Sequence, residues 1–275
     1  VLPIDLGKTK TIAVVGENAV KMMTVGGGSS SLKVRHEYTP LEGIRAAVGD
    51  RAEVIYERGY VGDVTGNYNG VKTGQDLSEK RSEAQLIADA VAAARKADAV
   101  IFVGGLNKSD HQDCEGADRL QYGLPYAQDR VIEALAEANP NLAVVMVSGN
   151  AVALPWIDRV PAVLEAWFSG SEAGNALADV VFGAVNPSGK LPFTFPVRLE
   201  DNSAHALGEY PGTDKVAYNE GIFVGYRWHD KEQLKPLFAF GHGLSYTTFD
   251  IAGVKADRTT LAANGRIRVS ADVTN

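Results

Sequence analysis

Ala99-Val100-Ile101-Phe102-Val103-Gly104-Gly105 is an unbroken apolar run that reads as a β-strand. A loop follows it, Asp110-His111-Gln112-Asp113-Cys114-Glu115-Gly116-Ala117-Asp118-Arg119. Pro125 to Ala138 then has Val131, Ile132 and Leu135 on one helical face, and Asn139-Pro140 ends it. Strand, loop, helix is the repeating unit of an alternating β/α chain. In such chains ligands bind at the loops beyond the carboxyl ends of the strands.

The same unit recurs on both sides. Thr11-Ile12-Ala13-Val14-Val15-Gly16 reads as a strand buried on both faces. Pro40 to Val48 reads as a short helix with proline near its start. Glu53 to Gly59 is a second strand, and residues 60 to 78 read as an irregular insertion rich in Gly, Asn, Asp and Thr. Ser82 to Ala97 has Leu86, Ile87, Ala90, Val91 and Ala94 at helical spacing. Leu142 to Gly149 and Ala162 to Phe168 are further strands, and Glu172 to Phe182 is a helix. This order predicts an α/β domain, a mostly parallel sheet sandwiched by helices.

After Gly183 the character changes. A turn-rich segment, Asn186-Pro187-Ser188-Gly189-Lys190-Leu191-Pro192, leads into a stretch that includes Tyr210, Tyr218, Phe223, Tyr226, Trp228, Phe238, Phe240 and Tyr246. Aromatic faces stack on pyranose rings, and they also fill cores. From Phe249 onward the pattern is β, as at the start of a separate β-sandwich. The chain opens on Val1-Leu2-Pro3-Ile4 and stops at Asp272-Val273-Thr274-Asn275 inside a strand-like pattern, which reads as a piece of a larger protein.

The 275 residues are 45% hydrophobic and 22% charged, enough for a normal core, with a formal net charge of -7. That charge argues against a nucleic-acid partner, which calls for a basic face. No apolar run approaches the roughly 18 residues of a membrane span. The one cysteine, Cys114, can form no internal disulfide. This fits a reducing compartment, although secreted bacterial proteins also often lack disulfides. The five histidines show no metal-ligand spacing. The turn after the first strand, Glu17-Asn18-Ala19, lacks the glycines of a dinucleotide site, and no Gly-Lys-Ser/Thr follows.

The loop at 110–119 carries Asp110, Asp113, Glu115 and Asp118 beside His111 and Arg119. Crowded carboxylates raise one another's pKa and an arginine lowers it again, which is how a general acid or base is poised. An acidic loop that is merely solvated has the same composition. Gly26-Gly27-Gly28-Ser29-Ser30-Ser31 offers close backbone approach and hydroxyl hydrogen bonds.

Six local patterns occur in order: Gly26 to Ser29, Thr39-Pro40-Leu41-Glu42-Gly43-Ile44, Glu115-Gly116-Ala117-Asp118-Arg119 with Leu124-Pro125 and Gln128, Asn186 to Pro192, Tyr218 to Arg227, and Phe240 to Phe249. Together they resemble the second domain of family-3 glycoside hydrolases, the β-glucosidase and β-xylosidase group. The resemblance implies an α/β sandwich over 1–248 and the start of a fibronectin-III-like domain over 249–275. It also implies a preceding barrel, absent here, that carries the nucleophilic aspartate. The implied activity is retaining exo-β-glycosidase, β-glucosidase first and β-xylosidase as the alternative, with no cofactor or metal. The implied partners are a β-glucoside or oligosaccharide substrate and the missing barrel; neither nucleic acid nor membrane is expected, and a homodimer stays open.

Glu115 matches the family's general acid/base, with Asp113 and then Asp110 as fallbacks. Its pKa is expected to be raised by the nucleophile of the barrel. Ser29 and Gly28 match a loop flanking the outer sugar subsite, and His111 is a substrate contact or a solvated loop histidine. Asp118 and Arg119 are read as a structural pair. Tyr218, Glu220 and Arg227 match a motif near a domain interface, with Glu220 and Arg227 as a supporting buried pair. Cys114 has no base placed to activate it. The rival readings are a non-catalytic carbohydrate-binding or assembly module of the same family and a nucleotide-binding α/β protein.

Overall fold

The computed structural model describes residues 1–24, 28–30, 32–65, 67–68 and 70–275. In chain order the strands and helices are β1 (Thr11–Val15), α1 (Pro40–Val48), β2 (Glu53–Glu57), the short pair β3 (Asn67–Tyr68) and β4 (Val71–Lys72), α2 (Glu83–Lys96), β5 (Ala99–Gly105), α3 (Gln128–Ala138), β6 (Leu142–Val147), β7 (Ala162–Glu165), α4 (Ala173–Val181), α5 (Ser203–Ala206), α6 (Tyr226–Glu232), β8 (Asp250–Ala256) and β9 (Val269–Thr274).

β1, β2, β5, β6 and β7 form one sheet in the order β2-β1-β5-β6-β7, with every neighbouring pair parallel. Alternate residues point to opposite faces of a strand, so each apolar run feeds two cores. Ala13, Val15, Val100, Phe102, Val144 and Met146 lie in one core with Ala90 and Ala94 of α2 and Val131, Ile132 and Leu135 of α3. Ile12, Val14, Ile101, Val103, Val145 and Val147 lie in the other with Leu41, Ile44 and Val48 of α1 and Leu177 and Val181 of α4. Helices on both faces are why the strands are apolar throughout rather than alternating. Each fully buried Ile or Leu side chain contributes about 1.5–3 kcal/mol.

Local chemistry sets the helix starts. Thr39 and Glu42 cap α1 reciprocally, with Pro40 at its first position. Ser82 caps α2 by accepting from the Gln85 N–H at 3.3 Å. α3 begins at Gln128 rather than at Pro125 because Tyr126 sits at φ 63°, outside any right-handed helix. α1 and α4 pack so closely that a Cβ on Gly43 would lie 2.0 Å from the Gly174 carbonyl oxygen. Only glycine permits that approach.

Two stretches are more ordered than their composition predicts. The insertion at 60–78 contains the β3–β4 antiparallel pair, and the aromatic stretch contains α6. β8 and β9 pair antiparallel as a separate two-stranded sheet, and every residue from 247 to 275 is exposed.

Candidate active site

The chain leaves the sheet leftward after β1 to form β2 and rightward after β5 to form β6 and β7. At such a switch point the loops diverge and open a crevice at the carboxyl edge. Gly105 ends β5 at φ 111°, and a side chain there would meet the Val147 carbonyl at 2.2 Å. Gln128 clamps that strand end: its Oε1 accepts from Gly105 N at 2.7 Å, and its Nε2 donates to Gly105 O at 2.8 Å.

The loop at 106–127 has a buried polar base. Asn18 Nδ2 donates to Leu106 O at 3.0 Å, Asn107 N to Gln112 Oε1 at 3.0 Å, and Ser109 N to Asn107 Oδ1 at 2.8 Å. Ser109 Oγ donates to Asp63 Oδ2 at 2.7 Å, and Gln112 Nε2 to Tyr126 Oη at 2.8 Å. Asn107, Ser109 and Gln112 are all buried. Buried polar groups satisfied in this way fix a single loop conformation. The tip, by contrast, is exposed at Glu115, Gly116 and Asp118.

Glu115 Oε2 accepts from Ser29 N at 3.0 Å and from Ser29 Oγ at 2.7 Å. The loops after β1 and β5, 86 residues apart in sequence, meet at this carboxylate. The Ser29 hydroxyl, and then its N–H, hold the Glu115 pKa below the usual range, because both donate to the ionised form. Within this chain the shift is therefore downward, not the rise expected from the barrel's nucleophile. Gly28 opens the short 3-10 turn that carries Ser29. Gly26, Gly27 and Ser31 of the same motif lie outside the described residues.

Asp113 is turned away from the tip. Its Oδ2 accepts from Gly149 N at 2.6 Å on the loop after β6, and burial raises its pKa. His111 is exposed at φ 62°, with Nδ1 3.1 Å from Asp118 O. Asp118 and Arg119 are held through separate partners rather than by each other. Tyr210 Oη donates to Asp118 Oδ2, and Arg119 Nη2 donates to Ala151 O at 2.7 Å. The expected ion pair of Glu220 with Arg227 does not form among the described residues. Glu220 is buried, whereas Arg227 is exposed with its guanidinium 5.6 Å from the Tyr226 ring centre. Cys114 Sγ donates to Ala117 O at 3.4 Å across the turn that presents Glu115.

Two acidic residues escaped the sequence reading. Glu17, fully buried after β1, takes Lys21 Nζ at 3.0 Å, Arg58 Nη2 at 2.7 Å and Gly62 N at 2.7 Å. Its i,i+4 spacing to Lys21 is a usable signal. A carboxylate in the first turn is also the wrong charge for a phosphate, which counts against nucleotide binding. Glu165 ends β7, and burial pushes its pKa up to about 8. It lines a cavity of about 220 Å³ over the ends of β6 and β7, with Thr24, Val147, Trp167, Phe168 and Leu177. Glu115 does not line this cavity. Among the described residues no group of three or more His, Cys, Asp and Glu is placed to hold a metal ion.

Residues 1–246 match the model of the glycosyl hydrolase family 3 C-terminal domain. The chain therefore belongs to glycoside hydrolase family 3, as its C-terminal α/β domain. It is 48% identical over 277 residues to beta-glucosidase BoGH3A of Bacteroides ovatus, covering 100% of this chain and 36% of that protein. It is 41% identical to thermostable beta-glucosidase B of Acetivibrio thermocellus, over 99% of this chain and 34% of that one. Among solved structures, a beta-glucosidase from Kluyveromyces marxianus in complex with glucose superposes with a TM-score of 0.87 at 25% identity, over 100% of this chain and 48% of that one. The Bifidobacterium adolescentis GH3 beta-glucosidase gives 0.81 at 35% identity, over 100% of this chain and 37% of that one. The chain thus spans about a third of the length of the curated relatives it matches.

Proposed function

We propose that this chain supplies the general acid/base to a retaining exo-β-glucosidase, with Glu115 as that group. The observation that carries the reading is the meeting of Ser29 and Glu115 at the carboxyl edge of the sheet. Two family motifs, far apart in sequence, converge on one exposed carboxylate there. Retaining hydrolysis needs two carboxyl groups about 5–5.5 Å apart, one to attack the anomeric carbon and one to protonate the departing oxygen and then activate water. In this reading the nucleophile belongs to a barrel outside this chain, and the substrate is a β-linked glucoside bound between the two domains. Ser29 orients Glu115 and favours its ionised form, the one needed to activate water. The neighbouring nucleophile's negative charge works the other way and favours the protonated form, the one needed to release the leaving group. Residues 249–275 begin a fibronectin-III-like domain in the same reading.

Asp113 is the weaker candidate because its carboxylate is spent on Gly149 N. The test uses the full-length protein on an aryl β-glucoside, wild type against Glu115→Ala, with and without azide. Turnover falls by about 10²–10⁴-fold, the usual contribution of a positioned acid/base. Azide restores it as the glycosyl azide. A Glu115→Ala enzyme close to wild type would move the role elsewhere.

A further inference from the structure

Glu115 and Gly116 are the two central residues of a tight turn closed by an antiparallel bridge between Cys114 and Ala117, with Gly116 at φ 84°. The turn buries little: Glu115, Gly116 and Asp118 are exposed, and Cys114 and Ala117 are half-buried. Segments with so few buried contacts open locally unless hydrogen bonds hold them. Here both shoulders of the turn reach the same neighbour. Before it, Asp113 Oδ2 accepts from Gly149 N at 2.6 Å. After it, Arg119 Nη2 donates to Ala151 O at 2.7 Å, and Tyr122 O accepts from Ala153 N at 3.1 Å. The three partners are alternate residues of one segment beyond β6. That segment is firmly seated: Ala151, Val152, Leu154 and Trp156 are buried, and Trp156 Nε1 donates to Asp129 Oδ1 of α3 at 2.8 Å.

We propose that Asp113 and Arg119 are positioning residues that clamp the two shoulders of this turn onto the segment at 149–153 and so set where the Glu115 carboxyl stands. The catalytic half of this inference rests on the acid/base role given to Glu115. Each tie has one charged partner, and such hydrogen bonds are about twice as strong as neutral ones. Both side chains are half-buried, so water competes for them less than for the exposed Tyr210 that reaches Asp118. Ser29 orients the carboxyl group itself, whereas the clamp holds the backbone that carries it. Proton transfer needs heavy atoms within about 2.6–3.2 Å, so a turn free to swing by about an ångström loses it.

The test compares the full-length protein on two aryl β-glucosides. A phenyl glucoside needs a proton on its departing oxygen, whereas a dinitrophenyl glucoside departs as a stable anion and needs none. A displaced acid therefore slows the first far more than the second, while an enzyme that is merely less folded loses both alike. Asp113→Ala removes the acceptor and Arg119→Met removes the donor while keeping a stem of similar length. Each is expected to lower kcat/KM for the phenyl glucoside by about 10²-fold, and that for the dinitrophenyl glucoside by less than about threefold. Asp113→Asn keeps an acceptor oxygen for Gly149 N and is expected to stay within about threefold of wild type on both.

Equal losses on the two glucosides, or an Asp113→Asn enzyme as impaired as Asp113→Ala, overturn the positioning role. Glu115→Ala, assayed alongside, must show the same contrast more strongly. If it shows none, the acid/base reading fails and the catalytic half of the inference falls with it. Hydrogen exchange separates the two failures because it needs no turnover. Peptides covering 112–121 are expected to exchange about tenfold faster in Asp113→Ala than in wild type or Asp113→Asn. Unchanged exchange there removes the clamp, whatever Glu115 does.

Discussion

Glu17→Ala is the most demanding test of how the crevice is built. The wild-type carboxylate sits between two buried cations, Lys21 with 0% and Arg58 with 9% side-chain exposure. It also satisfies the Gly62 N–H at 2.7 Å. Removing it takes away the carboxylate that Lys21 and Arg58 share in the buried interior. Breaking a buried pair from one side costs about 3–5 kcal/mol, and an orphaned buried N–H adds about 1–3. The expected loss is therefore at least about 4 kcal/mol, or a fall of roughly 8–16 °C in Tm for a domain of this size. Urea denaturation of the chain measures it as a lower midpoint with an unchanged slope. Replacing Glu17, Lys21 and Arg58 together with apolar residues should cost less than the single change, because no charge is then stranded. A Glu17→Ala loss below about 1 kcal/mol, or a triple variant worse than the single one, would refute the reasoning.

Ser29→Ala should let the Glu115 carboxyl rise toward its ordinary range, because the hydroxyl donates to the ionised form; side-chain carboxyl titration by NMR reads the direction, and no upward movement would remove Ser29 from the site. Gly43→Ala forces α1 and α4 apart and should cost about 1–3 kcal/mol, while Gly123→Ala, with open space around its Cβ position, should be nearly neutral; equal denaturation midpoints for the two would sink the close-packing account. Between α6 and the segment at 194–203, a cavity of about 30 Å³ adjoins Thr194 and Trp228, whose buried Oγ1 and Nε1 have no hydrogen-bond partner among the described residues. Such a polar cavity should hold an ordered water, and a high-resolution crystal structure with no density there would contradict this.

The five strands of the main sheet and the four helices packed on them were legible because each is an apolar run or stripe whose period is local. Pro40 and Ser82 marked helix starts for the same reason: a cap involves residues three apart. The Tyr126 backbone was not legible, since no pattern marks a left-handed tyrosine, and it moved the start of α3 by three residues. The insertion at 60–78 reads as irregular because two-residue strands carry no period.

The site divides along the same line. Its chemistry was legible in the residues themselves: a carboxylate-rich loop after an apolar strand, a serine in a glycine-rich loop, and motifs in a family order. Family membership followed from those residues alone. Which carboxylate faces outward was a tertiary matter. Asp113 and Glu115 are two residues apart in one loop, yet one is consumed by Gly149 and the other is presented by Ser29. The strand order β2-β1-β5-β6-β7, the burial of Glu17 between two cations, and the placing of Glu165 in the cavity wall beside Val147 and Phe168 were likewise decided by the fold. Periodicity and composition report what a residue is and what its near neighbours are. Partners brought together across 86 residues, or by the order in which strands join a sheet, depend on packing that no local pattern encodes.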